Sequence, residues 1–78
     1  MAILSAAKIG SDWKLEPEVS VLYALNLALQ DRSKVEIEIE RDGRYHVELG
    51  DGEEWGHGPD LDTALRYALG AFFATEEG

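Results

Sequence analysis

Between Lys34 and Gly58, oily and charged residues alternate with a period of two. Val35, Ile37 and Ile39 alternate with Glu36, Glu38 and Glu40, and Tyr45, Val47 and Leu49 alternate with His46 and Glu48. This is the period of a strand with one wet side and one buried side. Arg41-Asp42-Gly43 and Gly50-Asp51-Gly52 punctuate the stretch, which therefore predicts a three-stranded antiparallel meander. Register follows from the turns, because a slip of one residue turns a strand over. A two-residue turn at Asp42-Gly43 would set Ile39 against His46 and mix the sides. A three-residue turn with glycine in the left-handed region instead pairs Val35 with Leu49, Ile37 with Val47 and Ile39 with Tyr45, all on one side. The same rule at Gly50-Asp51-Gly52 predicts Trp55 beside Val47 and His57 beside Tyr45. Glu54 then joins Glu36, Glu38, Glu40 and Glu48 on the wet side, and Gly56 and Gly58 weaken the third strand.

Helical spacing flanks the meander on both sides. Pro17 suits the first position of a helix and Glu16 and Glu18 suit its positive end, while Val21, Leu22, Leu25, Ala28 and Leu29 mark an apolar stripe that runs to about Gln30. Asp60 is a good N-cap for a second helix, with Asp62 in its first turn and Leu61, Ala64, Leu65, Ala68, Leu69 and Phe72 on its apolar side. Tyr67, Gly70, Ala71 and Ala74 form a mostly small stripe. The first helix is expected to approach closely there, along Ala24 and Ala28. Residues 1–16 show no clear period and read as a partly ordered N-terminal arm, with Ile3, Leu4 and Trp13 as candidate partner contacts. Residues 17–78 form a single domain. The predicted fold class is α+β: a two-layer α-β-β-β-α sandwich, its antiparallel three-stranded meander carrying both helices on the apolar face.

A chain of 78 residues supports one modest core. Its formal charge of −9 disfavours phosphate backbones and anionic membranes, and it favours a basic protein partner. The absence of cysteine excludes disulfides, thiolate metal sites and a thiol nucleophile. No apolar run approaches the roughly 18–20 residues that span a bilayer, and Ala2 to Ala7 is short for a signal core. The expectation is a soluble, cytoplasmic protein with neither a membrane nor a nucleic-acid partner.

The third strand runs through a proline into an Ala/Leu-rich helix, as Glu54-Trp55-Gly56-His57-Gly58-Pro59-Asp60-Leu61-Asp62-Thr63-Ala64-Leu65. Over about residues 17–75, this pattern resembles the small phage ABA-sandwich proteins, and the resemblance implies an accessory protein of phage or prophage type with no established activity. Tyr45-His46-Val47-Glu48-Leu49 followed by Gly58, Leu61 and Ala64-Leu65 also resembles the HicB antitoxin domain, which implies an antitoxin-like module. The predicted element order is shared by double-stranded-RNA-binding domains, whose second helix opens on lysines. Here Asp60 and Asp62 stand there instead, which argues against RNA binding.

His46 and His57 are the two histidines of the chain. In the predicted register they point to opposite sides and do not converge on one metal or substrate. His46 reads as a cross-strand partner of Glu38. His57 stands near Asp60 and Asp62, but that spacing fits no closed zinc or EF-hand pattern, and helix capping accounts for the aspartates. A catalytic carboxylate pair needs one member desolvated enough to keep its proton, which rows on an open sheet do not provide. The serines lack a His/Asp arrangement, and no glycine run cradles a phosphate. The residues therefore predict a non-enzymatic protein without cofactor or metal, which binds another protein through the wet face of Glu36, Glu38, Glu40, Glu48 and Glu54. An alternative is a nucleic-acid mimic that inhibits a host nucleic-acid-binding protein, in the anti-CRISPR or anti-restriction manner. The same charges also oppose edge pairing and aggregation. A homodimer through the sheet edges is left open.

Overall fold

Glycine decides where this chain turns and where its layers touch. The computed structural model describes residues 6–10, 12–32, 34–50 and 54–77. Ala6–Ile9 (β1) and Asp12–Leu15 (β2) pair antiparallel, with Gly10 at φ 64° between them. Val21–Arg32 is α1. Val35–Ile39 (β3), Tyr45–Leu49 (β4) and Glu54–Gly58 (β5) form the antiparallel meander in the order β3-β4-β5, and Leu61–Glu77 is α2. The α+β class and the meander agree with the sequence reading. The order does not, because a β-hairpin precedes α1 and makes a second small sheet.

The first turn of the meander is as predicted. Gly43 sits at φ 86°, its N–H donates to Glu40 O at 2.9 Å, and the Arg44 N–H donates to Asp42 Oδ1 at 3.1 Å. The pairs Val35–Leu49, Ile37–Val47 and Ile39–Tyr45 follow. The second turn is not. Val47 pairs with Gly56 and Tyr45 with Gly58, so four residues rather than three separate the paired Leu49 and Glu54. Gly50 takes the left-handed conformation at φ 65°. Gly52, to which the sequence reading assigned that role, lies outside the described residues. The extra residue turns β5 over, carrying Trp55 and His57 to the open side and Glu54, Gly56 and Gly58 to the side of α2.

Packing against α2 explains why the chain accepts this register. A Cβ on Gly56 would lie 2.4 Å from Ala68 N and 2.5 Å from Ala64 O, and one on Gly58 would lie 2.7 Å from the Thr63 side chain. Strand and helix thus touch backbone to backbone, a distance that Trp55 or His57 could not occupy. On another side of α2, a Cβ at Gly70 would lie 2.7 Å from both Lys14 Cα and Lys14 N. The small stripe does mark a close approach, as expected, but at Gly70 the neighbour is β2 rather than α1. Leu15, the last residue of β2, enters the core, which it shares with Val47, Leu49, Leu65, Leu69 and Phe72.

The two helices do not share the apolar sheet face in the predicted way. A helix about 10–12 Å across roofs roughly two strands spaced about 4.8 Å apart. α2 packs on β5 and β4, whereas α1 packs chiefly on α2 and buries Ala24 and Ala28. Ile37 and Ile39 on β3 are left 47% and 68% exposed. α1 also begins later than Pro17. Residues 16–19 form a turn, closed by a bond of 3.0 Å from Val19 N–H to Glu16 O, and Ser20 caps the helix through Oγ at 3.2 Å from Tyr23 N. Arg66 Nη1 donates to both Glu16 O and Val19 O at 3.0 Å, while its Nε donates to Asp62 at 3.0 Å. This one guanidinium ties the connection before α1 to the first turns of α2.

Candidate functional site

The side of the meander opposite α2 gathers the titratable and aromatic residues. Two observations fix how closely they stand. Glu40 N donates to Arg44 O and Gly50 N to Lys34 O, so even-numbered β4 residues bond toward β3 and odd-numbered ones toward β5. His46 and His57 are directly paired, and they therefore form a non-hydrogen-bonded pair, the kind in which cross-strand side chains approach most closely. Their ring centroids are 4.5 Å apart. Trp55, which pairs with Glu48, lies 5.1 Å from the His57 ring and 6.1 Å from the His46 ring.

Carboxylates frame these rings. His46 Nε2 lies 2.7 Å from Glu48 Oε2, two residues along the same strand, with the histidine side chain only 16% exposed. His46 Nδ1 is buried and has no hydrogen-bond partner among the described residues. Glu40, just past β3, reaches across β4 to bring its Oε2 within 3.7 Å of His57 Nε2. One oxygen of Glu40 and one nitrogen from each histidine all lie within 4.8 Å of one another. The two histidines, expected on opposite faces, stand side by side because the second turn is one residue longer than predicted. Asp60 and Asp62 are engaged elsewhere. Asp60 Oδ1 accepts from Thr63 N at 2.8 Å as the N-cap of α2, and Asp62 binds Arg66. The hydrogen bond from the Thr63 backbone, aided by the Thr63 side chain and the charge of Lys14, holds the Asp60 carboxyl below the usual aspartate range.

Of the predicted acidic face, Glu36, Glu38 and Glu40 are exposed, with Glu36 3.4 Å from Lys34 Nζ. Glu48 is half-buried against His46. Glu54 is not on this face. It pairs with Leu49 on the side of α2 and is buried, another consequence of the turned-over strand. Trp55 is exposed in its place, and sequence reasoning missed it as a surface residue. Trp13 lies on β2 opposite Lys8, apart from the meander's face, while Ile3 and Leu4 lie outside the described residues. A concavity lies between the β1–β2 hairpin and the start of α2, lined by Ile9, Lys14, Pro17, Asp62 and Arg66. Its cations already have partners: Lys14 Nζ stands 5.3 Å from the Tyr67 ring centre, and Arg66 makes the bonds described above.

Comparison with known proteins adds no relative, since no family model, curated protein or solved structure matches the chain. Among the described residues no helix is long and apolar enough to cross a membrane.

Proposed function

We propose that this protein is a non-enzymatic binding module that engages a basic protein through the open face of the meander. The observation that carries this reading is Trp55, 53% exposed on a sheet face that holds Glu36, Glu38, Glu40, Glu48 and two imidazoles, with Lys34 and Arg44 as the cations in the same register. Tryptophan is the residue type most enriched among binding hot spots, and its ring attracts the guanidinium or ammonium groups that carboxylates also attract. Glu36, Glu38 and Glu40, on and just past β3 of the same sheet face, add charges suited to steering a cationic partner, as does the charge of −9 on the whole chain. An accessory role of the type implied by the ABA-sandwich resemblance would run through this face.

Capture from a lysate on the immobilised protein, followed by titration of the purified captured partner, tests the reading. Trp55→Ala should weaken binding by about 2 kcal/mol or more, as truncating a hot spot does. Glu38→Lys should slow association, and the wild-type affinity should fall as salt screens the face. A partner that duplex DNA displaces would identify the face as a nucleic-acid mimic. A partner whose affinity is unchanged by both substitutions would overturn the proposal.

A further inference from the structure

We propose that His46, His57 and Glu40 form a binding site for a divalent transition-metal ion of the Zn2+ class. Nothing in the protein-binding reading requires this site, which stands on its own geometry. The ligand set is two imidazoles and one carboxylate on three consecutive segments of the meander. Imidazole suits Zn2+, Cu2+ and Ni2+, whereas Mg2+ and Ca2+ prefer oxygen ligands alone. Ligands at about 2.0–2.1 Å from a tetrahedral zinc stand roughly 3.3 Å from one another. The present separations of up to 4.8 Å are wider than this. Glu40 and His57 are both half-exposed, so rotation of their side chains can close the difference without moving the strands.

Two further features fit a metal better than a solvated surface. The first is the contact of 2.7 Å between His46 Nε2 and Glu48. A carboxylate that accepts a hydrogen bond from a ligating imidazole fixes the ring's tautomer and raises its basicity, and metal sites use this arrangement widely. The second is the buried, unpartnered Nδ1 of the same ring. When Nε2 donates to Glu48, Nδ1 carries a lone pair that meets no donor among the described residues, and a ligated ion is the partner proposed for it. Three protein ligands leave a fourth position for water or for an atom of a bound partner.

The test uses the purified chain and simple salts, at mildly alkaline pH, where protons compete least with a metal for nitrogen ligands. Calorimetry with ZnCl2 should show one saturable site per chain, with MgCl2 giving none. Glu48→Gln touches His46 without supplying a ligand, and it should weaken Zn2+ binding by about 10–100-fold. His57→Ala and Glu40→Ala, which remove ligands at half-exposed positions, should each weaken it at least as much, with unchanged circular dichroism. Glu36→Gln should have no effect. In a Trp13→Phe background, CuCl2 should quench the fluorescence of Trp55 at the same stoichiometry, because its ring is 5.1 Å from His57. The proposal is overturned if Zn2+ shows no saturable binding, if Mg2+ binds equally well, or if His57→Ala and Glu40→Ala bind Zn2+ like the wild type. The last two results would mark diffuse attraction to an acidic surface.

Discussion

β3 and β5 border the same three-stranded sheet, and their residues suggest fates opposite to the ones they meet. β3 has the cleaner pattern, Val-Glu-Ile-Glu-Ile, yet Ile37 and Ile39 stand largely in water. β5 reads Glu-Trp-Gly-His-Gly, with two residues that disfavour strands, yet its Glu54, Gly56 and Gly58 are buried. The difference lies in what a helix needs from a sheet. Alternation says which side chains share a face, but the cover goes where a helix can come closest. Two glycines on one side of β5 let the α2 backbone lie against the strand. One helix is then too narrow to reach the third strand, and α1, leaning on α2, does not complete the roof.

The sharpest way to break this comparison is to give β5 a side chain on its covered side. Gly56→Val should destabilise the fold by about 1–3 kcal/mol or more, because the clash would be with helix backbone that cannot rotate away. Chemical denaturation measures it, and a neutral result would mean that α2 does not sit on β5. Gly70→Ala probes the other close contact of α2. Helix propensity favours alanine by about 1 kcal/mol, but the methyl group meets the Lys14 backbone. The net result should be a loss on the order of 1 kcal/mol, with faster amide exchange confined to β1 and β2.

A smaller effect concerns the start of α2. The Asp60 carboxyl is held below its ordinary value in the folded chain, so its contribution is complete above the unfolded aspartate value of about 3.9. That contribution is lost as pH falls through the lower folded value. Asp60→Asn keeps an acceptor for the cap but cannot titrate. The midpoint of its thermal unfolding should therefore be less sensitive to acid than that of the wild type. The smallest effect is expected on β3, where Ile39→Thr should change stability by no more than about 0.5 kcal/mol. A loss well above that would show that another molecule covers Ile39 in solution.

These contrasts also show how far the sequence could be read. The β3–β4 register was legible because Gly43 closes the one turn that keeps Ile37 and Ile39 apart from the glutamates. The β4–β5 register was not, because Trp55 and His57 can satisfy either face by their own chemistry, and a loop of three or four residues fits the Gly-Asp-Gly-Glu string. A signal was present: Gly56 and Gly58 have the same parity, and small residues spaced by two mark the side where backbone meets backbone. Misreading that turn moved Trp55 inward and Glu54 outward, and it separated the two histidines that the structure brings together. The β1–β2 hairpin was hidden for another reason. Asp-Trp-Lys-Leu alternates over only four residues and its partner Ala-Ala-Lys-Ile does not alternate, so only Gly10-Ser11 between them hints at a two-residue turn. The cap at Ser20 was likewise overshadowed by Pro17, a residue equally at home in a turn.

The place of α2 in the chain has a consequence for biosynthesis. A ribosome delivers β1, β2, α1 and the meander before any of the 17 residues of α2, on which β2, β4, β5 and α1 all lean. Until that helix emerges, Leu15, Val47 and Leu49 have no finished core to enter, and Arg66 is not there to grasp the carbonyls of Glu16 and Val19. Because so many of its contacts run through α2, the core of this domain closes only once that helix has been made.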